Sequence, residues 1–142
     1  DTRKHFIMRV SAFMVPANKV IKCSEWDPIS TCLELVLEHK ISAVLVMGKD
    51  KPAGIVTKTD LVSAYSKGIS SHQRISLIMA TELHRVLDTD TRDSAAGLFD
   101  RNGHHHALVF DKEDQFVGLI SAWDIAAECA KDGRAWPWLR PE

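Results

Sequence analysis

The chain has 142 residues, of which 45% are hydrophobic and 26% are charged, and its formal net charge is −1. This length fits about one compact domain, and the near-neutral balance argues against a general polyanion binder such as a nucleic-acid protein. No apolar run approaches the roughly 20 residues that span a bilayer, so we expect a soluble protein. Residues 1–5 precede no apolar signal core and the chain lacks an initiator Met, so we expect a processed form or an excised fragment.

In the first half, the predicted order is strand, helix, strand, hairpin turn, strand and helix. Leu33, Val36 and Leu37 lie on one helical face after the start signal Asp27-Pro28, which predicts the first long helix. The β-branched run 41–47 is too short for a helix and predicts a buried strand, and 48–52 is a turn cluster. The predicted elements are a lead-in helix 7–14, a strand 20–22, a helix 30–40, strands 41–47 and 53–56, and a helix 59–66.

The second half repeats this order after a Gly-, Ser- and His-rich linker over 67–74. Gly133 is expected to end the last helix. The predicted elements are a lead-in helix 75–79, a strand 85–87, a helix 94–101, strands 107–110 and 116–120 around the turn 111–114, and a helix 124–131.

The two halves share a motif. Residues 54–61 and 118–125 both read Gly, two aliphatic residues, Ser or Thr, two variable positions, Asp and an aliphatic residue, 64 positions apart. Residues 41–46 and 105–110 match at the same offset, and residues 9–14 and 74–79 match at an offset of 65. An internal repeat that covers nearly the whole chain predicts two copies of one structural unit.

A repeat of about 60 residues with this order and with Gly-aliphatic-aliphatic-[Ser/Thr]-x-x-Asp at its last strand-to-helix junction resembles the cystathionine-beta-synthase (CBS) domain. Two in tandem resemble a Bateman module, over roughly residues 7–133. The resemblance implies an α/β (α+β) fold of two β-α-β-β-α repeats related by pseudo-twofold symmetry. We divide the chain into repeat 1 (7–68), repeat 2 (69–133) and a Trp-rich tail (134–142).

The repeated motif allows a structural and a functional interpretation. Thr57-x-x-Asp60 and Ser121-x-x-Asp124 resemble capping boxes, in which the hydroxyl and the third helical residue bind each other's backbone amides. A carboxylate at a helix N-terminus would repel phosphate but suits a vicinal diol, as acidic residues do with ribose in dinucleotide-binding folds. We therefore expect the two aspartates to hold ribose, and the two hydroxyls to reach a sugar or α-phosphate oxygen.

The resemblance implies AMP, ADP or ATP in clefts between the two repeats, with Mg²⁺ accompanying ATP, and it implies no catalytic cofactor. In such modules adenine lies against the strand before the hairpin, and the Asp motif comes from the other repeat. One cleft would combine Ile21, Lys22, Ile41, Ser42 and Ala43 with Ser121, Trp123 and Asp124. The other would combine Val86, His105, His106 and Ala107 with Thr57, Lys58, Thr59 and Asp60. Because Lys58 offers a cation where Ala122 offers none, we expect the second cleft to be the better nucleotide site; Trp123 could stack or block.

The run His104–His106 raises the question of a metal site. Consecutive strand residues alternate faces, so at most two of the three could point together, and no Cys or acidic residue lies at ligand spacing nearby. We therefore favour surface or interface histidines over a metal site. Phosphate contacts from His105 and His106 are the alternative, because basic residues near this position contact phosphate in the gamma subunit of AMP-activated protein kinase, whose repeats this region resembles.

Other patterns favour binding over catalysis. No Ser-His-Asp order, Gly-rich phosphate loop or metal-site spacing occurs, so we do not expect an enzyme. Cys23, Cys32 and Cys129 lack metal-ligand spacing and suggest reduced, mostly buried thiols of an intracellular protein. Trp136-Pro137-Trp138-Leu139 is interpreted as a tail folded onto its own module or a dimer interface, with a partner-docking segment as the alternative.

We also expect a homodimer. Exposed apolar helix faces favour self-association, and related modules commonly pair helix against helix. These faces are expected on Leu61, Val62, Ala64 and Tyr65 and on Ile125, Ala126 and Cys129. Two other functions stay open: a protein-protein scaffold with degenerate ligand sites that regulates an unidentified protein, or a sensor of S-adenosylmethionine or Mg²⁺. Lys58 argues against the cationic S-adenosylmethionine.

Overall fold

The computed structural model describes residues 7–103 and 105–132, and their contacts form two units. The first-repeat unit is Lys19–Leu83, and the second-repeat unit combines the described residues of 7–18 and 84–132. Each lead-in segment therefore packs with the body of the other sequence repeat. The amide of Val10 donates to Asp90 O (2.8 Å), and the amide of Ile75 donates to Asp27 O (2.8 Å). The repeat boundaries 7–68 and 69–133 rest on the sequence and stay a prediction.

Each unit contains the predicted order β-α-β-β-α, and the α/β fold class is confirmed. The elements in chain order are β1 (Val15–Pro16), β2 (Lys22–Ser24), α1 (Ile29–His39), β3 (Ala43–Met47), β4 (Pro52–Thr57), α2 (Lys58–Ser66), β5 (Arg85–Leu87), α3 (Arg92–Asn102), β6 (His106–Phe110), β7 (Phe116–Ser121) and α4 (Ala122–Lys131).

The sheet of the first-repeat unit has the order β2-β3-β4, and that of the second-repeat unit has the order β1-β7-β6-β5. In both, a parallel pair (β2 with β3, β5 with β6) adjoins an antiparallel hairpin (β3 with β4, β6 with β7). The two-residue strand β1 adds an antiparallel edge to β7. Three consecutive buried positions in β3 and in β6 explain why these strands read as continuous apolar runs.

The structure corrects several predicted boundaries; among them, β3 begins at Ala43 instead of residue 41, and α3 begins at Arg92 instead of residue 94. The lead-in helices predicted over 7–14 and 75–79 are single 3-10 turns, Val10–Ala12 and Ile75–Leu77. The strand predicted over 20–22 is Lys22–Ser24, and β1 was not predicted, because its pairing with β7 is a long-range contact. Helix α4 begins at Ala122 instead of residue 124, because the hydroxyl residue is its N-cap and the aspartate already lies in the first turn.

Each unit has its own core between sheet and helices. The buried residues of the first are Cys23, Ile29, Cys32, Val36, Val44, Val46, Val56, Leu61 and Ile75. Those of the second are Val10, Val86, Ala95, Phe99, Ala107, Val109, Ile120 and Ile125. Burial raises the pKa of Cys23 to about 12 and that of Cys32 to about 11, which makes both thiols poor nucleophiles. No helix within the described ranges is both long and apolar enough to cross a bilayer.

The structure also corrects the apolar helix faces expected from the sequence. Leu61, Ala64 and Ile125, expected to be exposed, are buried. The large apolar side chains that the first-repeat helices do expose are Leu33, Leu37, Val62 and Tyr65. At the offset of 64, α4 has the smaller side chains of Ala126 and Cys129 in place of Val62 and Tyr65. The homodimer expected from these faces stays a prediction.

Candidate functional site

Both copies of the motif lie where the hairpin's second strand passes into a helix, and both are capping boxes. In the first-repeat unit, the amide of Thr57 donates to Asp60 Oδ2 (2.9 Å), and the amide of Asp60 donates to Thr57 Oγ1 (3.3 Å). In the second, the amide of Ser121 donates to Asp124 Oδ2 (2.9 Å), and the amide of Asp124 donates to Ser121 Oγ (3.1 Å). The structural interpretation of the motif is therefore confirmed, and it leaves the question of a ligand open.

The neighbouring strand satisfies a further amide at each helix start. The amide of Lys58 donates to the carbonyl of Ser42 (3.0 Å), and the amide of Ala122 donates to the carbonyl of His105 (2.8 Å). A helix leaves four amides without intrahelical partners at its N-terminus. Here the cap residue, the first residue and the third residue are all satisfied. The amide that remains is that of the second residue, Thr59 in α2 and Trp123 in α4.

One donor and one acceptor therefore stay available at each helix start. The second-residue amides of Thr59 and Trp123 have no hydrogen-bond partner among residues 7–103 and 105–132, and neither does Oδ1 of Asp60 or Asp124. A hydroxyl group donates and accepts at once, so this pair suits a sugar hydroxyl. A phosphate, which only accepts, would gain one amide and face a carboxylate.

The two helix starts differ in charge and shape. Lys58 is exposed at the start of α2, whereas its counterpart Ala122 is half-buried and uncharged. Trp123 exposes 76% of its surface beside Asp124. The hydroxyl of Thr57 donates to Asp60 Oδ2 (3.1 Å), whereas the hydroxyl of Ser121 has no such acceptor in the described part of the chain. Ser121 therefore keeps a hydroxyl donor for a ligand that Thr57 does not.

The first strands of the two hairpins, β3 and β6, correspond at an offset of 63, whereas the second strands, β4 and β7, keep the offset of 64. Ala43 pairs with Thr57, and His106 pairs with Ser121, so His106 is the counterpart of Ala43 and His105 that of Ser42. The sequence comparison of 41–46 with 105–110 was therefore out of register by one residue. The second hairpin is one residue longer, because Gly48 bonds to Lys51 where Asp111 bonds to Gln115.

The remaining predicted site residues lie on the strands beside these helix starts. Ile21 precedes β2, and its carbonyl accepts from the amide of Leu45 (3.1 Å). Val86 and Ala107 are buried in the core of the second-repeat unit, whereas Lys22 is exposed and Ile41 half-buried. Within each unit, the start of the hairpin's first strand thus adjoins that unit's own Asp motif. The combination of strand residues from one repeat with the Asp motif of the other stays a prediction.

His105 is exposed and His106 is half-buried. Burial lowers the pKa of His106 below its usual 6.5, with a further contribution from His105, while Asp124 partly opposes the shift. His106 is therefore mostly neutral at pH 7, and a phosphate contact from it would be a neutral hydrogen bond. Among the described residues, no three His, Cys, Asp or Glu side chains lie close enough together to hold a metal ion. His104, the first member of the run, and the tail 134–142 lie outside the described residues.

The lowered pKa of His106 predicts a pH-dependent stability. Between the folded pKa and 6.5 the unfolded chain binds more protons, so this contribution is complete above about pH 6.5 and is lost as the pH falls through the folded pKa. Urea titration measures the free energy of unfolding at each pH. We expect this free energy to fall less between about pH 7.5 and 5.5 in His106→Gln than in the parent. His72→Gln, at an exposed histidine, is the control. Equal pH slopes in both variants and the parent would contradict the prediction.

Comparison with known proteins identifies the repeats. The CBS domain family matches residues 7–67 and 75–131. The UPF0053 protein MG146 homolog of Mycoplasma pneumoniae is 27% identical over 121 residues, which are 84% of this chain and 28% of that protein. The chain thus spans little more than a quarter of the length of this curated relative.

Solved structures share the fold. CBSX2 in complex with AMP superimposes with a TM-score of 0.73 at 20% identity, over 87% of this chain and 97% of that one. The CBS domain of the bacterial CNNM/CorC family Mg²⁺ transporter in complex with ATP gives a TM-score of 0.79 at 21% identity, over 88% of this chain and 89% of that one. At these identities the likeness establishes the fold.

Proposed function

Because the chain belongs to the CBS-domain family, we propose that it is a regulatory module that binds an adenine nucleotide, AMP, ADP or ATP. The observation that carries the proposal is the matched pair of helix starts, each with one amide and one carboxylate oxygen available to a sugar hydroxyl. The fold neighbours CBSX2 in complex with AMP and the CorC-family CBS domain in complex with ATP support this ligand class.

The proposed site at Asp60 is the stronger of the two. Ribose would bind Asp60 Oδ1 and the amide of Thr59, and the exposed Lys58 would meet a phosphate group. His105 and His106 would complete this cleft from the other repeat, as the family resemblance implies. At Asp124 no cation follows the cap, and Trp123 either stacks on a base or narrows the cleft. We therefore expect one high-affinity nucleotide per chain.

Regulation would follow from linkage. A nucleotide held by groups from both repeats stabilises one relative arrangement of the repeats, or one dimer geometry, to the extent that its affinity differs between arrangements. The regulated protein would be a partner or a further part of a longer chain. In this proposal the module itself performs no catalysis, and Mg²⁺ accompanies ATP.

The test measures nucleotide affinity by titration calorimetry for the parent, Asp60→Asn and Asp124→Asn. Asn keeps an oxygen that can accept from the cap amide, so the helix start survives while the charge is lost. Hydrogen bonds to charged groups contribute about 1.5–3 kcal/mol, so we expect Asp60→Asn to weaken binding by roughly 10- to 100-fold. Asp124→Asn should change the nucleotide affinity of the stronger site, at Asp60, by less than about threefold. Equal binding in all three would overturn the assignment.

A thermal-shift screen separates the alternatives. A ligand at 100 times its dissociation constant stabilises the folded state by about 2.7 kcal/mol, which is several degrees for this chain length. A shift with AMP, ADP or ATP supports the proposal. A shift with S-adenosylmethionine or Mg²⁺ alone would point to a different sensor, and no shift with any of them would favour a protein-protein scaffold with degenerate sites.

A further inference from the structure

A groove of about 590 Å³ lies in the second-repeat unit between the lead-in segment and the end of α4. One of its walls is the segment 7–12, and the other is the last turn of α4 together with Asp132. Ile7 is 57% exposed and Ala12 is also exposed, so the first wall presents apolar side chains to the groove. An apolar concave surface with a few charged groups at its edge is typical of a binding site.

The first-repeat unit shows what kind of group lies at the equivalent place in the fold. At the offsets of 64 and 65, the counterparts of the two walls are residues 64–68, at the end of α2, and residues 72–77, in the second lead-in segment. Residues 69–71 join these two walls directly. The amide of Ile69 donates to Ala64 O (3.0 Å), and the Ile69 side chain packs against the core. The groove of the second-repeat unit therefore lies where the first-repeat unit has a connecting peptide.

We propose that residues 133–139, the first part of the Trp-rich tail, return from the end of α4 and occupy this groove. Asp132 lines the groove and has an extended backbone (φ −101°, ψ 95°), so the chain leaves the helix at the edge of the groove. Residues 133–135 can span about 10 Å, which is close to the separation of packed helical segments. This reach brings Trp136 to the lead-in wall. The inference does not depend on nucleotide binding.

The sequence of the tail suits an extended apolar occupant. Trp136 precedes Pro137, and a residue before proline favours extended backbone over helix. Residues two apart in an extended segment point to the same side, so Trp136 and Trp138 can both face the apolar wall. Each aromatic side chain that docks buries about 150–250 Å², which would cover the exposed side chains of that wall.

Arg92 contacts both walls and has two donors without acceptors. Its amide donates to Met8 O (2.8 Å), and its Nη2 donates to Asp132 Oδ2 (3.2 Å). Its Nε and Nη1 are buried and have no hydrogen-bond partner among the described residues. A peptide that enters beside Asp132 brings backbone carbonyls, which are acceptors, whereas a purely apolar ligand would leave both donors unsatisfied. A chain segment therefore fits this place better than an apolar small molecule.

Tryptophan fluorescence tests the inference, because Trp26 and Trp123 are 64% and 76% exposed and can be replaced by Phe. In the full chain with both replacements, the remaining tryptophan emission comes from the tail. We expect acrylamide to quench this emission severalfold less than in the same chain with Ala12→Glu, which places a charge in the groove. Leu77→Glu, at the counterpart of Ala12 in the first-repeat unit, is the matched control and should leave the quenching unchanged. Equal quenching with and without Ala12→Glu would overturn the inference.

Thiol labelling separates docking of the tail from a folding defect. In a Cys129→Ser background the other two cysteines are buried, and Ser11→Cys places one thiol in the groove wall. Alkylation of this thiol by a maleimide should become severalfold faster when Trp136 and Trp138 are both replaced by Ser. Asp93→Cys, at an exposed position that does not line the groove, is the control and should keep its rate.

The same experiments distinguish other occupants of the groove. A Ser11→Cys thiol that is protected but does not respond to the tail substitutions would point to residues 1–6. Tail tryptophans that acrylamide reaches freely would point to a partner protein as their binding site. Protection that rises with protein concentration would show docking of the tail of a second copy. Each of these three results would overturn the inference.

Discussion

Gly54→Ala and Gly118→Ala should each lower the free energy of unfolding by about 3 kcal/mol. A Cβ at Gly54 would lie 2.9 Å from the carbonyl oxygen of Ala80, and one at Gly118 would lie 2.7 Å from that of Val15. These carbonyls belong to backbone segments that pair with β4 and β7: Ala80 exchanges two hydrogen bonds with Ile55 (3.0 and 2.9 Å), and Val15 pairs with Leu119. The added methyl group would therefore break this backbone pairing, and it would also displace the side chain of Met79 at Gly54 or of Met14 at Gly118.

Gly97→Ala is the matched control for these substitutions. Gly97 lies inside α3, where an added Cβ would meet the end of the Arg101 side chain at 3.1 Å, and that side chain can move. Alanine also favours a helix interior by up to about 1 kcal/mol over glycine. Urea unfolding should thus show unchanged or higher stability for Gly97→Ala, and a loss for the other two that corresponds to roughly 10 °C in melting temperature. Parent-like stability of Gly54→Ala would contradict this explanation of the repeated glycine.

Asp132→Ala should also cost about 3 kcal/mol, because it leaves a buried guanidinium without its anion. Arg92 is 7% exposed, and its Nη2 donates to Asp132 Oδ2 at 3.2 Å. Its Nε and Nη1 are buried without a hydrogen-bond partner among the described protein atoms. The nearest other carboxylate, Asp93, lies 3.6 Å from Nε with a side chain that is 89% exposed, so solvent screens its contribution.

The first repeat provides the control for this prediction. Ile29 begins α1 as Arg92 begins α3, and it is 3% exposed, so an apolar residue fits this place in the fold. The double variant Arg92→Ile with Asp132→Ala, which removes both charges, should cost less than about 1 kcal/mol, and Arg92→Ile alone should cost more than the double variant because it removes the cation beside the Asp132 carboxylate, whose side chain is 16% exposed. Asp93→Ala should change stability by less than about 0.5 kcal/mol. If Asp132→Ala proved as stable as Asp93→Ala in urea unfolding, the buried pair would not have the role assigned to it.

Much of the local structure could be predicted because it depends on local patterns. The apolar run in β3 and the turn residues between β3 and β4 predict that hairpin, and the motif Thr57-x-x-Asp60 predicts the capping box that is observed. The strand Arg85–Leu87 was predicted with its observed bounds. The one-residue error in matching the hairpins arose because 41–46 and 105–110 are both largely apolar. Two such runs match about equally well after a shift of one residue, so their register becomes clear only from the strand pairing.

Contacts far apart in sequence could not be predicted in the same way. The first amides of α2 and α4 donate to the carbonyls of Ser42 and His105. Every residue has such a backbone carbonyl, so the residue type does not indicate which carbonyls accept these hydrogen bonds. Only their pairing across the hairpin leaves Thr59 and Trp123 with the available amide. Likewise, nothing in the sequence near Arg92 predicts that its side chain is buried, because its partner Asp132 lies 40 residues further along the chain.

By itself, the sequence determined the family, the repeat, the order of elements and the two aspartates, because each follows from spacing along one chain. The tertiary structure alone decided that each lead-in segment packs with the other repeat's body and therefore requires a glycine opposite it. It also decided which amide and which carboxylate oxygen remain for a ligand, and which of two similar helix pairs exposes large apolar side chains. These features depend on which groups meet across the fold, and the free energy of such contacts is set by distance and burial, which a linear pattern does not contain.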